Sequence, residues 1–365
     1  MVRSCDEGSL PFVGDFQDFL DGASDYGRVV NESTEFFENK VVASFIDKVK
    51  VGIDVPNYPQ YRDMNEMFFD VIEGIGKING GYIETAVLTL KEGKSVIPEV
   101  SVIKNHSQKI YEKLGEPFQL RICVAGPYTM SSLFDYKDKG TFTRIGNVLA
   151  QMVEANIFNS KHGSVVLVSV DEPVFGFVDD PLLDRGSEGR ENLRRAWEFI
   201  TQRIRAKGAQ SCLHLHNTSD ELFWEVKSLN IIESHFSDSF YQAKRTKERL
   251  ESTDKFLKAS IAVTDFDQLI KDNIMVASKQ KLNEININEK IAETWKNITK
   301  KQTDPTILVE NIELMEERLA KIVGFFGENK VPYAGPECGL KGFPTYESAL
   351  ECLKRVSKAV KNASN

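Results

Sequence analysis

Short runs of apolar, β-branched residues alternate along this chain with longer stretches in which apolar positions recur every three to four residues. The first pattern predicts buried strands and the second predicts helices packed on one face. Eight strand-like runs stand out: "VRSCDEGS" near the start, "KVKVGIDVP" (48–56), "LRICVAGP" (120–127), "VVLVSVDEP" (165–173), "SCLHLHN" (211–217), "NIIESHFS" (230–237), "FLKASIAV" (256–263) and "VPYAGPECG" (331–339). Between them lie patterns such as "ENLRRAWEFITQRIRAKG" (191–208), with basic residues late and a glycine at the stop, as a helix end requires. Strand–helix alternation predicts a parallel α/β architecture, and eight strands close a (β/α)8 TIM barrel.

Two stretches are too long for a simple strand–helix unit. Residues 57–119 read as an insertion before the third strand that includes "GGYIETAVLTLKEGKSVIPEV", a candidate hairpin, and residues 264–330 read as extra helices near the C-terminal part. The expectation is one TIM-barrel domain over residues 1–365.

Composition narrows the function classes. The chain has 365 residues, 41% of them hydrophobic, and a formal net charge of -8, so no global electrostatic attraction draws it to nucleic acid or an anionic membrane. No apolar run approaches the roughly 18 residues of a membrane span, and the start "MVRSCDEGSLPFVGDF" carries charges where a signal peptide needs an apolar core. A cytoplasmic location is expected, with Cys5, Cys123, Cys212, Cys338 and Cys352 as thiols rather than a disulfide framework.

In a barrel, the loops after the strands build the site, so chemistry should cluster at strand C-termini. The fifth run ends in His214 and His216, and positions two apart on a strand share a face, so both imidazoles converge on one spot. A hydrogen-bonded histidine pair in a polar pocket is the other reading of that motif. The sixth run offers Glu233, either a ligand or a carboxylate paired with an Arg or Lys, and the last offers Cys338, either a small buried hydrophobe or, in its glycine-flanked turn, a thiolate that a metal can reach. Imidazole, carboxylate and thiolate together suit zinc, giving His214, His216, Glu233 and Cys338 as a four-ligand set. His235, on the face of Glu233, is expected to support a ligand rather than bind the metal. Asp171 and Glu172 of "VDEP" face opposite ways, so one enters the pocket and the other supports it from behind, a pair of rim salt bridges being the other reading.

These motifs, in order and each at a strand end, resemble the cobalamin-independent methionine synthase superfamily. "GSLP" resembles its Gly-Ser-Phe-Pro, "RDMNEMF" its Asp-Met helix start, "GPYT" its Gly-Pro-Val-Thr and "GPECGLKG" its Pro-Asp-Cys-Gly-Leu-Lys turn, while "VDEP" is the same. The resemblance implies a zinc centre on His214, His216, Glu233 and Cys338, with His216 standing where the family has cysteine. It also implies that zinc activates an acceptor thiol, and that Glu233 yields its place to the incoming sulfur.

The departures shape the expected reaction. The chain matches one barrel of the two in the folate-dependent enzyme and so resembles the single-barrel core form, whose members take the methyl group from a methylcobamide carried by a corrinoid protein. The family's Asp-Ile-His-Ser segment, a proton source for the folate product, is replaced by "IAVTDFDQ". The acceptor expected from the resemblance is homocysteine, with Ser9 at its carboxylate and Asp171 at its ammonium. Tyr58 and Gln60 occupy the place of a family acidic residue; Glu84 is the candidate to supply the missing charge, and coenzyme M is the alternative acceptor. Two other classes remain open: a zinc hydrolase barrel, and a zinc-binding scaffold without turnover.

Overall fold

The computed structural model describes residues 1–78, 80–278 and 283–363. Its strands are β1 (Arg3–Ser4), β2 (Ile72–Ile78), β3 (Gly81–Leu90), β4 (Phe118–Ala125), β5 (Gly163–Glu172), β6 (Gln210–Leu215), β7 (Ile231–Glu233), β8 (Phe256–Ala262) and β9 (Tyr333–Pro336). Seven form one curled sheet in the order β1-β9-β8-β7-β6-β5-β4. Every pairing in it is parallel.

The expected second strand at 48–56 does not form, and the sheet does not close as an eight-stranded barrel. Residues 48–50 belong instead to helix Glu32–Lys50, where Lys48 is drawn inward to pair with buried Asp6 at 2.7 Å. The chain beyond turns at Gly52, with φ +102°. It then runs between β1 and β4 with isolated parallel bridges, Cys5 with Val55, Asn57 with Arg121 and, further on, Ser9 with Gln60. Two features stop a ladder from growing. The Asp54 carboxylate takes the Ser4 N–H at 2.7 Å, which a neighbouring backbone carbonyl would otherwise accept, and Pro56 has no N–H to donate. Pro56 still accepts from Arg121 N at 2.9 Å, and Tyr58 N donates to Arg121 O at 3.3 Å.

Inside the curl, Cys5, Val55, Leu167, Cys212, Ile231 and Tyr333 form a small apolar cluster of their own. The large core lies outside it, where helices cover the sheet. Helix Glu188–Ala206 shows the logic: Ser187 caps its start, and Leu193, Ala196, Trp197, Ile200 and Ile204 form its buried face. That spacing is the one legible in the sequence.

The expected hairpin is present as antiparallel β2 and β3, with a register shift between Glu73 and Ile75. Gly74, at φ +83°, takes the bulge conformation there. Tyr82 anchors the hairpin, donating its N–H to Leu133 O at 3.0 Å and accepting from Asp135 N at 2.9 Å. The stretch 264–330 contains helices Phe266–Ala277, Glu284–Thr299 and Ile312–Phe326; its residues 279–282 lie outside those described.

Candidate metal centre

Strand register brings the chemistry together. Asp171 on β5 is level with His214 on β6, which is level with Glu233 on β7. Level residues on neighbouring parallel strands point the same way, so these side chains share the interior face. His216 lies just beyond β6, His235 two residues past the end of β7, and Cys338 two residues past the end of β9.

Ligand atoms of His214, His216, His235 and Cys338 all lie within 4.8 Å of one another. The Nε2 atoms of His214 and His216 are 3.2 Å apart, and Cys338 Sγ is 3.7 Å from His216 Nε2. Tetrahedral zinc with ordinary bond lengths separates two nitrogens by about 3.3 Å and a nitrogen from a sulfur by about 3.6 Å. The donor set therefore fits zinc in chemistry, and these two separations match it in spacing. His235 Nε2 adds an independent sign, being a buried polar atom without a hydrogen-bond partner.

Glu233 occupies a different place from the one expected of it. Its Oε1 accepts from His214 Nδ1 at 2.6 Å and from Arg121 Nη2 at 2.7 Å. Its Oε2 faces Lys258 Nζ at 3.2 Å and Arg121 Nη1 at 3.4 Å. The carboxylate sits behind His214 rather than among the four clustered groups, and His235, expected behind the ligands, is one of the four. The physical reason is the pair of buried cations: Arg121 and Lys258 are fully buried and draw the carboxylate down to them. Glu7 completes the cluster, accepting from Arg121 Nη1 at 2.9 Å and from Lys258 through a short contact.

These contacts set protonation. Burial alone would raise the Glu233 pKa, but Arg121, Lys258 and His214 hold it well below the usual carboxylate range. Burial alone would lower His214, but Glu233 outweighs it and keeps the imidazole well above its usual value. His216 has no such partner: burial, then the charges of His214 and His235, push it down to about 3. Burial, then His214 and Lys258, push His235 down to about 4. Both rings are thus neutral at pH 7, with lone pairs free for a metal.

The other expected site residues divide sharply. Asp171 reaches the interior face and accepts from Ser169 Oγ at 2.6 Å; burial raises its pKa against the pull of His214 and Arg121. Glu172 points the opposite way into the helix layer, accepting from Tyr128 N at 2.9 Å, Thr129 N at 2.6 Å and Trp197 Nε1 at 2.8 Å. It fastens the "GPYT" turn to the helix layer, with its pKa raised to about 7 by burial. Ser9 lies against the final turn, its carbonyl accepting from Leu340 N at 2.9 Å. The Oγ of Ser9 occupies the space that a Cβ on Gly339 would need, at 2.0 Å.

Three expected substrate contacts are otherwise engaged. Tyr58 is fully buried and donates its hydroxyl to Cys123 O at 3.1 Å. Gln60 is buried too, its Oε1 3.5 Å from Cys123 Sγ. Glu84 on the hairpin is taken by Arg144 in a two-pronged pair, both contacts at 2.7 Å. Its charge is neutralised there.

Glu7, Arg121 and Lys258 escaped the sequence reading, although a signal existed. Arg121 and Lys258 interrupt the apolar strands "LRICVAGP" and "FLKASIAV", and a charge inside a strand buried on both faces demands a buried counter-charge.

The fold is therefore an α/β architecture on a curled parallel sheet, with a metal-competent group at the C-terminal ends of its strands. No protein-family model matches the chain, and no curated protein matches it. Among solved structures it is similar to a B12-independent methionine synthase from Shewanella sp. W3-18-1 in complex with selenomethionine, at 14% identity and TM-score 0.57, over 99% of this chain and 98% of that one. It is also similar to a methyltransferase from Methanosarcina mazei, at 12% identity and TM-score 0.55, over 100% of this chain and 94% of that one. At such identities the likeness is one of fold. Among the described residues no helix is long and apolar enough to cross a membrane.

Proposed function

We propose that this protein is a zinc-dependent thiol methyltransferase, moving a methyl group from a methylcobamide, carried by a corrinoid protein, to homocysteine to give methionine. The observation that carries the reading is the convergence of His214, His216, His235 and Cys338 at the strand ends. The motif resemblance and the fold shared with a B12-independent methionine synthase support it.

His214, His216, His235 and Cys338 would hold the metal at rest, one of them giving up its place to the acceptor thiol. Zinc, when bound, would lower the pKa of an acceptor thiol and present its sulfur as a thiolate. The chain's own groups do the rest. Glu233 fixes the His214 ring by accepting from Nδ1, which directs Nε2 upward into the group. Asp171, partnered by Ser169 and level with His214, offers a carboxylate to the acceptor's ammonium. Ser9, held against the final turn, stands ready for the acceptor's carboxylate.

The charge distribution favours homocysteine over coenzyme M. A sulfonate would need a cation, and the two that reach the floor of the site, Arg121 and Lys258, are each held by Glu7 and Glu233. An ammonium would relieve the cost of the buried Asp171 carboxylate.

The test is demethylation of methylcobalamin by the zinc-loaded protein, followed by absorbance, with homocysteine, with coenzyme M and with no thiol. Homocysteine-dependent turnover is expected. Turnover with coenzyme M alone would reassign the acceptor, and silence with every thiol and with a corrinoid protein supplied would leave a zinc-binding scaffold.

A further inference from the structure

Beneath the imidazole–thiolate group lies a closed cluster of two carboxylates and two cations, Glu7, Glu233, Arg121 and Lys258, joined by four ion pairs. We propose that Glu233, which the family motif makes a metal ligand, is in this chain a positioning residue: Arg121 and Lys258 hold it against His214, and His235 takes the vacated coordination place. The inference rests on the metal-centre reading above and concerns which side chains complete it.

Three observations carry it. First, both Glu233 oxygens are spoken for, Oε1 by His214 Nδ1 at 2.6 Å and Arg121 Nη2 at 2.7 Å, Oε2 by Lys258 Nζ at 3.2 Å. Glu233 is fully buried, as are both cations. Moving an oxygen to a metal would strip those buried cations of a partner. Second, the cluster balances without the metal's charge, since Glu7 supplies the second anion. Third, His235 offers a buried Nε2 without a partner, within reach of His214, His216 and Cys338, whereas Glu233 groups with His214 and Glu7 on the side where Arg121 and Lys258 already take its oxygens. Its Nδ1 lies 3.8 Å from Glu337 Oε2, near a carboxylate but beyond hydrogen-bond distance, unlike His214 Nδ1 on Glu233. Glu337 is itself fixed, accepting from Thr264 N at 3.1 Å and Phe236 N at 3.3 Å.

The deciding measurement is X-ray absorption on the zinc-loaded wild-type protein, which needs no variant to fold. Three imidazoles and one sulfur around the zinc are expected; two imidazoles, one sulfur and a carboxylate would overturn the proposal. Glu233→Gln, which keeps an acceptor for His214 Nδ1, should still bind one zinc, with affinity about 10- to 100-fold weaker, the usual cost of disturbing a ligand's outer partner. The cobalt-substituted form should keep its absorption spectrum in Glu233→Gln and lose it in His235→Ala. In nitrogen NMR of the zinc-loaded protein, the His214 Nδ1 resonance should move in Glu233→Gln while those of His216 and His235 stay. A folded Glu233→Gln protein that binds no zinc, or a spectrum untouched by His235→Ala, would overturn the inference. Zinc bound with Glu233 in its coordination removes the inference and leaves the metal reading standing, whereas a wild-type protein that binds no zinc removes both.

Discussion

The Nε2 atoms of His214 and His216 lie 3.2 Å apart, facing each other at the end of β6. Two imidazole nitrogens at that separation, with Cys338 Sγ 3.7 Å from the second, have the spacing of a metal chelate. His216→Ala should lower zinc affinity by roughly 100-fold or more, exceeding the loss from an outer partner, with far-ultraviolet circular dichroism unchanged. Metal analysis after dialysis against a chelator checks this. Full zinc retention would take His216 out of the centre.

Zinc binding should release protons. His214 is held protonated by Glu233 against the effect of burial, and its Nε2 must lose a proton to ligate; Cys338 must enter as thiolate. Calorimetry at pH 7 in buffers of different ionisation heat should report about two protons released per zinc. Zero would mean that neither group enters the coordination.

The metal-free protein should lose stability in acid. His235 titrates at about 4 and His216 at about 3 when folded, against about 6.5 when unfolded. Between those values the unfolded chain binds more protons, so stability falls as pH drops below about 6.5 and goes on falling down through about 4 for His235 and about 3 for His216. Urea denaturation from pH 7 to pH 4 should show the loss, and His235→Asn should flatten it. An equal slope in both proteins would sink the assignment.

Asp171 and Glu84 should behave oppositely. Asp171→Asn should raise KM for homocysteine about 10- to 100-fold, matching the roughly 1.5–3 kcal/mol of a hydrogen bond to a charged group. Glu84→Gln should leave KM alone, because Arg144 already occupies that carboxylate. The reverse outcome would move the ammonium site to the hairpin.

Glu172 should matter for folding rather than for metal. Glu172→Ala leaves three buried N–H donors, of Tyr128, Thr129 and Trp197, without an acceptor. Stability should fall by about 3 kcal/mol or more, with zinc content unchanged in the folded fraction. Loss of zinc at full stability would contradict this placement.

The sequence by itself determined the alternation of strands and helices, the hairpin insertion, the helix faces and the strand ends where chemistry gathers. Those follow from local periodicity, which reports which side of an element is buried. His214 with His216, and Asp171 opposed to Glu172, were legible because alternation along one strand is a local property. Only the tertiary structure decided that residues 48–56 divide between a helix end and a bridged segment, since Lys48 is recruited by Asp6 and the ladder is blocked by Asp54 and Pro56. Only it placed His235 beside His214, His216 and Cys338 and Glu233 beneath them, where the sequence pattern puts Glu233 among the ligands and His235 behind. That placement depends on Arg121, Lys258 and Glu7, brought in from three distant strand regions. A carboxylate goes to the cations it meets in a buried interior, and where they meet is set by packing, not by spacing along the chain.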